Sequence, residues 1–274
     1  MWQMIPALVL VGGLGLASPA AAEVEFPPAG VDWDYQLGGD RSVPEAVGIV
    51  ARDRTSDPLP RRYNVCYVNG FQTQSDAKKF WRDRWRLVLK DDDGDPVVDG
   101  AWGEWLLDIG TAAKRRALAK IMGRWTTGCA EDGFDAVEYD NLDSFTRSGG
   151  RLSAKDSRKF ADRLVERAHE EGLAAAQKNR AGWDGTTVGY DFAIAEECAQ
   201  WRECGAYEAT YGTLVLAVEY RTKPFRRACR NWDDRISVVR RDLPLAADGA
   251  RRWCLRTEPI FFTGRGEAAA GLRV

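Results

Sequence analysis

The feature that most constrains the fold is an alternation of short apolar segments with longer stretches of helical periodicity. Most of the apolar segments have no regular polar positions, which is typical of strands that are covered on both faces. Alternating strands and helices predict a parallel sheet, because each parallel pair needs a long crossover between its strands. The eight candidate strands are Trp33–Leu37, Val47–Arg52, Tyr63–Asn69, Phe134–Tyr139, Leu173–Lys178, Tyr190–Ala195, Thr213–Glu219 and Ile236–Arg240.

The helical periodicity between these strands is clearest over Ala154–Glu171. Ser153 can cap the first turn, with Asp156 three residues later in a capping-box-like position, and Gly172 ends the helix. Apolar residues recur there at i, i+3 and i+4 and form one stripe for packing. Two further helices are predicted over Thr111–Trp125 and Ser75–Leu89, and the short run Trp105–Ile109 is either a strand or part of a loop.

Residues 1–22 have the features of a secretory signal peptide. An apolar run over Ile5–Leu16 leads to the small residues of an A-x-A-like cleavage site before Glu23. The run is shorter than the roughly 20 residues that a transmembrane helix needs. We therefore expect this segment to be removed and the mature protein to be secreted.

Residues 23–274 are expected to form one catalytic domain of the α/β class, a single (β/α)8 TIM-type barrel. Barrels of this kind typically have about 250 residues, which matches the mature length. No interdomain linker or internal repeat divides the sequence. An open doubly wound sheet is the alternative architecture, because it has the same alternation of strands and helices.

The chain has six cysteines, which in an exported protein indicate disulfides rather than free thiols. The CxxC spacing of zinc and redox sites is absent. Six cysteines permit many pairings, so the connectivity stays open. One arrangement pairs Cys198 with Cys204 in a short loop and Cys229 with Cys254 in the C-terminal region, which leaves Cys66 with Cys129.

Polar side chains lie in or directly after several candidate strands. In a parallel barrel the pocket is formed at the C-terminal ends of the strands. Helix caps favour Ser, Thr, Asp and Asn, so glutamates that directly follow apolar strand residues fit a site better than caps. We expect them at the barrel mouth, partly buried, where the pKa of a carboxyl group rises. These polar residues include Asp34, Tyr35, Asn69, Glu138, Asp140, Asn141, Lys178, Asn179, Glu196, Glu197, Glu219 and Tyr220.

Paired carboxylates at a pocket mouth suit glycoside hydrolysis, in which one acid protonates the leaving oxygen and the other attacks the sugar or activates water. The net charge of −2 gives no basic surplus for binding nucleic acid. A single histidine argues against a Ser-His-Asp triad and against histidine metal sites. Among the 11 tryptophans, Trp102, Trp183 and Trp201 lie near predicted loops and are candidates for stacking on sugar rings.

Seven segments also match, in order, the pattern of a known family. The most specific are GFDAVEYDNLDSF at Gly133–Phe145 and FAIAEECAQWREC at Phe192–Cys204. Together the segments resemble the endo-α-1,4-polygalactosaminidases of glycoside hydrolase family 114 over nearly the whole mature chain. The other five segments are Trp33–Gly39, Val65–Asn69, Trp102–Ile109, Gly172–Asn179 and Leu216–Tyr220.

The resemblance implies a (β/α)8 barrel, extracellular action, and endo-cleavage of α-1,4-linked galactosamine polymers by a retaining mechanism, with no metal or organic cofactor. By motif position, Asp140 would be the nucleophile and Glu196 the acid/base, with Glu197 as the alternative acid. An acidic cleft would attract the ammonium groups of a partly deacetylated polymer. The substrate-binding residues would be Asp34, Tyr35, Tyr67, Glu138, Asn141, Lys178, Asn179, Glu219 and Tyr220.

The sequence departs from the family pattern beside these residues. Tyr139 stands where proline is common, Ala195 where asparagine is common, and Glu197 where glutamine is common. Both proposed catalytic carboxylates are retained. Two other functions stay open at this point: a non-catalytic polysaccharide-binding barrel, and a glycosidase of the same scaffold with a different sugar. The expected partner is a polysaccharide, without nucleic acid and without membrane after signal cleavage, and a monomer is favoured.

Overall fold

A computed structural model describes residues 24–254, so the predicted signal peptide lies outside the described residues. Eight parallel strands follow one another in chain order, each hydrogen-bonded to the next. Every one of them overlaps its predicted segment, and the predicted (β/α)8 TIM-type barrel is confirmed. The strands are β1 (Asp32–Gln36), β2 (Val47–Asp53), β3 (Tyr63–Val68), β4 (Ala136–Tyr139), β5 (Ala174–Lys178), β6 (Phe192–Glu196), β7 (Val215–Glu219) and β8 (Ser237–Arg241).

Side chains and a ninth strand close the barrel between β8 and β1. Ser237 Oγ of β8 donates a hydrogen bond to Val31 O at 2.6 Å, just before β1. The short strand β9 (Arg251–Trp253) pairs antiparallel with β8. From β9, Trp253 Nε1 donates to Trp33 O at 2.8 Å. The sheet is thus nearly closed, and its inner face is shielded from water.

The barrel interior is filled by alternating large and small side chains. Trp33 is fully buried inside, and its Nε1 donates to Ala217 O of β7 at 3.0 Å. Small residues such as Ala136 and Ala176 leave room for its ring and for Phe192. Close packing of this kind stabilises a barrel through contacts between all its strands. A second apolar layer lies between the strands and the surrounding helices.

Helices cover the outside of the barrel between β3 and β8. The predicted helix with the Ser153 cap is confirmed, and both hydrogen bonds of the capping box with Asp156 are present. The helix predicted from Thr111 continues to Asp132, further than its apolar pattern indicated, and ends at Gly133 in a left-handed conformation. The helices are α1 (Lys78–Arg82), α2 (Ala112–Asp132), α3 (Ala154–Glu170), α4 (Cys198–Trp201), α5 (Cys204–Tyr211) and α6 (Thr222–Trp232).

The helix predicted over Ser75–Leu89 is wrong as a single element. The segment consists of the 3-10 turn Ser75–Ala77, the one-turn helix α1 and the 3-10 turn Trp85–Leu87. Its last residues are extended, since Leu89 N donates to Leu106 O at 2.8 Å and Val88 forms a bridge with Leu107. Pairing with this neighbouring segment outweighs the local helical periodicity.

A small hairpin follows this segment. Val98–Asp99 pairs antiparallel with Glu104–Trp105, so the run predicted as either a strand or a loop begins in a two-residue strand. Trp105 N donates to Thr73 Oγ1 at 3.0 Å, and Thr73 N donates to Trp105 O at 2.9 Å. These bonds fix the hairpin against the loop that follows β3, at the mouth of the barrel.

Three disulfides have the connectivity given as one arrangement above: Cys66–Cys129, Cys198–Cys204 and Cys229–Cys254. The first joins β3 to α2, the second spans α4 and α5, and the third joins α6 to the residue after β9. Within residues 24–254, the search for a helix that is long and apolar enough to span a bilayer finds none.

Candidate active site

Three neighbouring strands are each followed, at the barrel mouth, by a residue in the left-handed backbone conformation. Asn141, Asn179 and Glu197 have φ angles of 65°, 53° and 55°, and each directly follows a charged residue of the predicted site. Among residues other than glycine, asparagine tolerates this left-handed conformation best. Such conformations cost free energy and are found preferentially at functional sites. The repeated turn ends β4, β5 and β6 at a common edge.

Lys178, the last residue of β5, brings the predicted carboxylates together. Its side chain is 2% exposed, and Nζ lies 2.7 Å from Glu138 Oε1, 3.2 Å from Asp140 Oδ1 and 3.4 Å from Glu196 Oε2. Burial by itself lowers the pKa of an ammonium group, but the surrounding carboxylates raise the pKa of Lys178 well above its ordinary value. Lys178 therefore stays protonated and holds three acids, from the ends of β4 and β6, around one charge.

Asp140 accepts hydrogen bonds on both carboxylate oxygens. Tyr67 Oη donates to Oδ2 at 2.8 Å, and the Asn141 N–H donates to Oδ1 at 2.6 Å. Burial by itself raises the pKa of Asp140, but the Lys178 ammonium and these two donors outweigh it and lower the pKa below its ordinary value. Asp140 is thus an ionised carboxylate at neutral pH, as attack on a sugar carbon requires.

Glu196 is held by donors from two neighbouring strand ends. Asn179 Nδ2 donates to Oε2 at 3.0 Å, and the Glu196 N–H donates back to Asn179 Oδ1 at 2.8 Å. Tyr220 Oη donates to Oε1. Glu197, the alternative acid, is not among the ion-pair partners of Lys178 in residues 24–254 and lines an adjoining part of the cleft. The geometry therefore favours Glu196 over Glu197 as the partner of Asp140.

Glu138 and Tyr35 support Lys178 from inside the barrel. Glu138 is fully buried, and its Oε1 accepts hydrogen bonds from Tyr35 Oη at 2.7 Å and from Lys178 Nζ at 2.7 Å. Lys178 Nζ also donates to Tyr35 Oη at 2.9 Å. Burial raises the pKa of Glu138 to about 7. Glu138 is not among the residues that line the cleft, so it orients the lysine rather than contacting a ligand.

The cleft above these residues has a wall that the sequence interpretation did not assign. Glu104 and Asp99 of the hairpin, and Arg147 from the loop after β4, line it together with the predicted residues. Arg147 Nε lies 2.8 Å from Asp99 Oδ2, and its NH2 donates to Asn141 Oδ1 at 3.1 Å. The sequence contained a signal for Glu104, since the segment Trp102–Ile109 resembles the family. Nothing in the spacing of that segment, however, places Glu104 beside Asp140.

The cleft continues past Glu196 over the loop that carries α4 and α5. Glu197, Trp201 and Glu203 line this extension, and Trp102 borders both parts. Trp102 is 57% exposed and Trp201 is 64% exposed. The extension therefore presents carboxylates and flat aromatic faces beside Asp140 and Glu196.

Besides Glu138, two further predicted binding residues do not line the cleft. Asp34 is fully buried between β1 and the last strands, where Oδ1 accepts from Arg241 NH1 at 3.0 Å and Oδ2 accepts from Arg251 NH1 at 2.7 Å. Glu219 is fully buried, and its Oε1 accepts from Ala199 N at 2.6 Å at the start of α4. Both carboxylates are occupied by internal partners, one closing the barrel and one capping a helix.

The other predicted residues are brought together at the mouth. Tyr35, Tyr67, Asp140, Asn141, Lys178, Asn179, Glu196 and Tyr220 all line the same cleft. Within residues 24–254, the group of cysteine and acidic side chains close enough to hold a metal ion is Cys198, Cys204 and Glu219. Its two sulfurs are bonded to each other in a disulfide, and the group lies apart from the cleft.

Comparison with known proteins identifies a family, and the solved structures with a similar fold include two glycoside hydrolases. The model of glycoside-hydrolase family GH114 matches residues 15–258. The crystal structure of Aspergillus fumigatus Ega3 in complex with galactosamine has a TM-score of 0.68 and 20% identity, covering 86% of this chain and 100% of that chain. The glycoside hydrolase domain of PelA from Pseudomonas aeruginosa has a TM-score of 0.56 and 14% identity, covering 80% and 97%. No curated protein sequence matches the chain.

Proposed function

The chain belongs to glycoside hydrolase family GH114, and on this basis we propose that it is a secreted, endo-acting hydrolase of α-1,4-linked galactosamine-containing polysaccharide. The observation that carries the proposal is the shared contact of Asp140 and Glu196 with Lys178. It makes these two acids a pair that faces one cleft. The relative Ega3, which was solved with bound galactosamine, supports this choice of sugar.

In the proposed reaction Asp140 is the nucleophile and Glu196 the acid/base. Asp140 attacks the anomeric carbon while Glu196 gives its proton to the leaving glycosidic oxygen. Glu196 then removes a proton from water, which attacks the glycosyl-enzyme and releases Asp140. Because one oxygen of each acid lies within 3.4 Å of the same nitrogen, the pair fits the short spacing of retaining enzymes, about 5–5.5 Å, better than the wider inverting spacing.

The charge and shape of the cleft support a cationic polymer as substrate. Carboxylates attract the ammonium groups of deacetylated hexosamine units, and those facing the cleft and its extension outnumber the cations there. The carboxylates are Asp99, Glu104, Asp140, Asp143, Glu196, Glu197 and Glu203, and the cations are Arg147, Lys178 and Arg180. A cleft that continues on one side of the catalytic pair accommodates a chain rather than a single sugar, which fits endo-cleavage.

The disulfides and the N-terminal sequence support action outside the cell. Residues 24–254 hold three disulfides, which persist in oxidising compartments. We infer that residues 1–22 are removed on export and that residues 23–274 form a single catalytic domain that acts as a monomer. N-terminal sequencing of the secreted protein and its molar mass by light scattering test both points. A mature protein that keeps residues 1–22, or a stable dimer, would contradict them.

The central experiment compares Asp140→Asn, Glu196→Gln and Glu197→Gln with the wild type on purified α-1,4-galactosamine polymer. New reducing ends measure turnover. Asp140→Asn and Glu196→Gln are expected to lower kcat by about a thousandfold or more, because each removes one half of a two-step mechanism. Glu197→Gln keeps the acid/base and is expected to lower kcat far less. Circular dichroism checks that each variant is folded.

The anomer of the first product distinguishes the proposed reaction from its rivals. Proton NMR during early turnover is expected to show the α-anomer, which retains the configuration of the cleaved bond. A β-anomer would exclude Asp140 as a nucleophile. Binding of the polymer by the wild type without new reducing ends would show a binding protein instead of a hydrolase.

A further inference from the structure

Glu104 lies on the wall of the cleft, and the proposed reaction does not use it. Its Oε2 accepts a hydrogen bond from Asn69 Nδ2 at 2.9 Å. Asn69 Oδ1 in turn accepts from Asn141 Nδ2 at 3.0 Å, and Asn141 directly follows Asp140. One amide thus ties Glu104 to the segment that carries the nucleophile, so Glu104 is placed beside the sugar units that occupy the reaction site.

The other carboxylates of this wall already have cationic partners. Arg147 Nε lies 2.8 Å from Asp99 Oδ2, and Arg147 NH2 donates to Asp143 Oδ1 at 3.0 Å. The catalytic acids share Lys178. Across residues 24–254, no lysine, arginine or histidine nitrogen is within ion-pair distance of Glu104, whose hydrogen-bond partner is the neutral Asn69. Glu104 is therefore the carboxylate of this wall that is left for a positive charge from outside the chain.

A partly buried carboxylate without a cationic partner gains free energy when a cation arrives. Burial raises the pKa of Glu104 to about 7, so its ionised form is destabilised in the cleft by itself. An ammonium group supplies the missing charge, and a hydrogen bond between two ions is about twice as strong as one between neutral groups. An N-acetyl group brings no charge and leaves the carboxylate desolvated without compensation.

Trp102 offers a surface for the same sugar unit. It lies in the turn of the hairpin, two residues before Glu104, and its exposed ring borders the cleft. The flat face of an indole packs against the apolar face of a pyranose. The hairpin thus presents an aromatic face and a carboxylate side by side, which is the combination that recognises an amino sugar.

From these contacts we propose that Glu104 determines specificity: its carboxylate binds the ammonium group of a galactosamine unit that stacks on Trp102, and so selects the free amine over the N-acetylated sugar. The inference rests on the proposed function, since it takes a galactosamine polymer as the substrate. Glu104 acts on substrate binding and takes no part in breaking the glycosidic bond.

Binding without turnover gives the most direct test. The secreted protein with Asp140→Asn is titrated calorimetrically with α-1,4-linked tetramers of galactosamine and of N-acetylgalactosamine, with and without Glu104→Gln. Adding Glu104→Gln is expected to weaken binding of the galactosamine tetramer about tenfold, which is the effect of one charge-assisted hydrogen bond. Binding of the acetylated tetramer stays the same or improves. Trp102→Ala weakens binding of both tetramers.

A matched control makes the same chemical change elsewhere. Glu131 is exposed on the last turn of α2, and Glu131→Gln is expected to leave both affinities unchanged. Equal weakening of both tetramers by Glu104→Gln would overturn the proposal, because the carboxylate would then act on the fold or on the sugar ring in general. Failure of both tetramers to bind would overturn it as well.

Turnover separates this inference from the proposed function. In the otherwise intact enzyme, Glu104→Gln is expected to raise KM for the galactosamine tetramer about tenfold and to leave kcat within a factor of about three. A large fall in kcat at constant KM would contradict a role in binding. If the wild type cleaves neither tetramer but Glu104 still discriminates between them in binding, amine selection holds and the proposed hydrolysis fails.

Discussion

A buried ammonium group costs free energy unless carboxylates surround it, and Lys178 has three of them within 3.4 Å. The same contacts serve chemistry. They lower the pKa of Asp140, and they hold Asp140 and Glu196 on either side of one charge. At the scale of single residues, stability and the proposed catalysis therefore depend on the same side chain.

Replacing Lys178 by methionine is expected to damage both properties. The fully buried Glu138 loses its cationic partner, which costs about 3–5 kcal/mol of unfolding free energy. Activity falls about a hundredfold or more, because Asp140 and Glu196 lose the charge that positions them. Urea denaturation measures the stability of the variant, and the release of reducing ends measures its activity.

A second variant separates the two effects. Lys178→Met combined with Glu138→Gln removes the buried negative charge as well, so most of the lost stability should return while activity stays low. Lys155→Met, at an exposed position of α3, is the control and should change neither quantity. Wild-type stability of the single Lys178→Met variant would show that the ion pair contributes nothing.

At the scale of elements, the cleft is built from segments that are too short to be stable alone. The hairpin has two residues in each strand and depends on its hydrogen bonds to Thr73. The loop after β6 carries the four-residue helix α4, and Glu219 accepts a hydrogen bond from Ala199 N near its start. Isolated helices and hairpins of this size are not stable in water. Tertiary contacts and a disulfide must therefore hold them.

We expect the disulfides to differ in their effects, one mainly stabilising the fold and another mainly supporting substrate binding. Cys66–Cys129 spans 63 residues and Cys198–Cys204 spans 6, so loop closure gives about 4 kcal/mol for the first and about 2 kcal/mol for the second. Replacing both cysteines of the first pair by alanine should lower the free energy of unfolding by the larger amount and leave KM for the polymer unchanged. The same change in the second pair should cost less stability but raise KM for the polymer, because Glu197, Trp201 and Glu203 lie on that loop.

Guanidinium denaturation and steady-state kinetics at 25 °C check this division. The Cys229–Cys254 pair serves as a reference, since it joins α6 to the end of β9 and lines no part of the cleft. Its removal should lower stability and leave KM unchanged. A larger KM effect from the Cys66–Cys129 pair than from the Cys198–Cys204 pair would contradict the assignment of the extension as a binding surface.

At the scale of the whole molecule, charge is almost balanced while the cleft is acidic. The formal net charge is −2, so the chain as a whole has a weak field. The excess of carboxylates around Asp140 and Glu196 concentrates negative potential in the cleft that we propose as the polymer-binding site. A cleft with charges of one sign and low-dielectric walls attracts a ligand of opposite charge more than the net charge alone indicates.

Salt is expected to weaken binding of the cationic polymer. Raising NaCl from about 0.05 to about 0.5 M shortens the screening length severalfold, so KM for the galactosamine polymer should rise severalfold while kcat changes little. The N-acetylated polymer is uncharged and serves as the control. Parallel changes of KM for the two polymers would show that salt acts on the protein rather than on charge attraction.

The sequence by itself determined the barrel and most of the proposed catalytic group. Apolar runs of strand length set the eight strands, because both faces of a barrel strand are buried. The polar residues at their ends necessarily meet at one rim, and Asp140, Lys178 and Glu196 do so. The capping box of α3 was also predictable, because a cap depends on residues three positions apart.

Only the tertiary structure decided which polar residues face the cleft. Position in or directly after a strand did not distinguish Asp34 and Glu219, whose carboxylates are bonded inside the protein, from Asp140 and Glu196. Glu104 enters the site through a hairpin that exists only by pairing with segments distant in sequence. Local patterns specify the element and its end, but the direction of a buried carboxylate follows from the donors that the complete fold places around it.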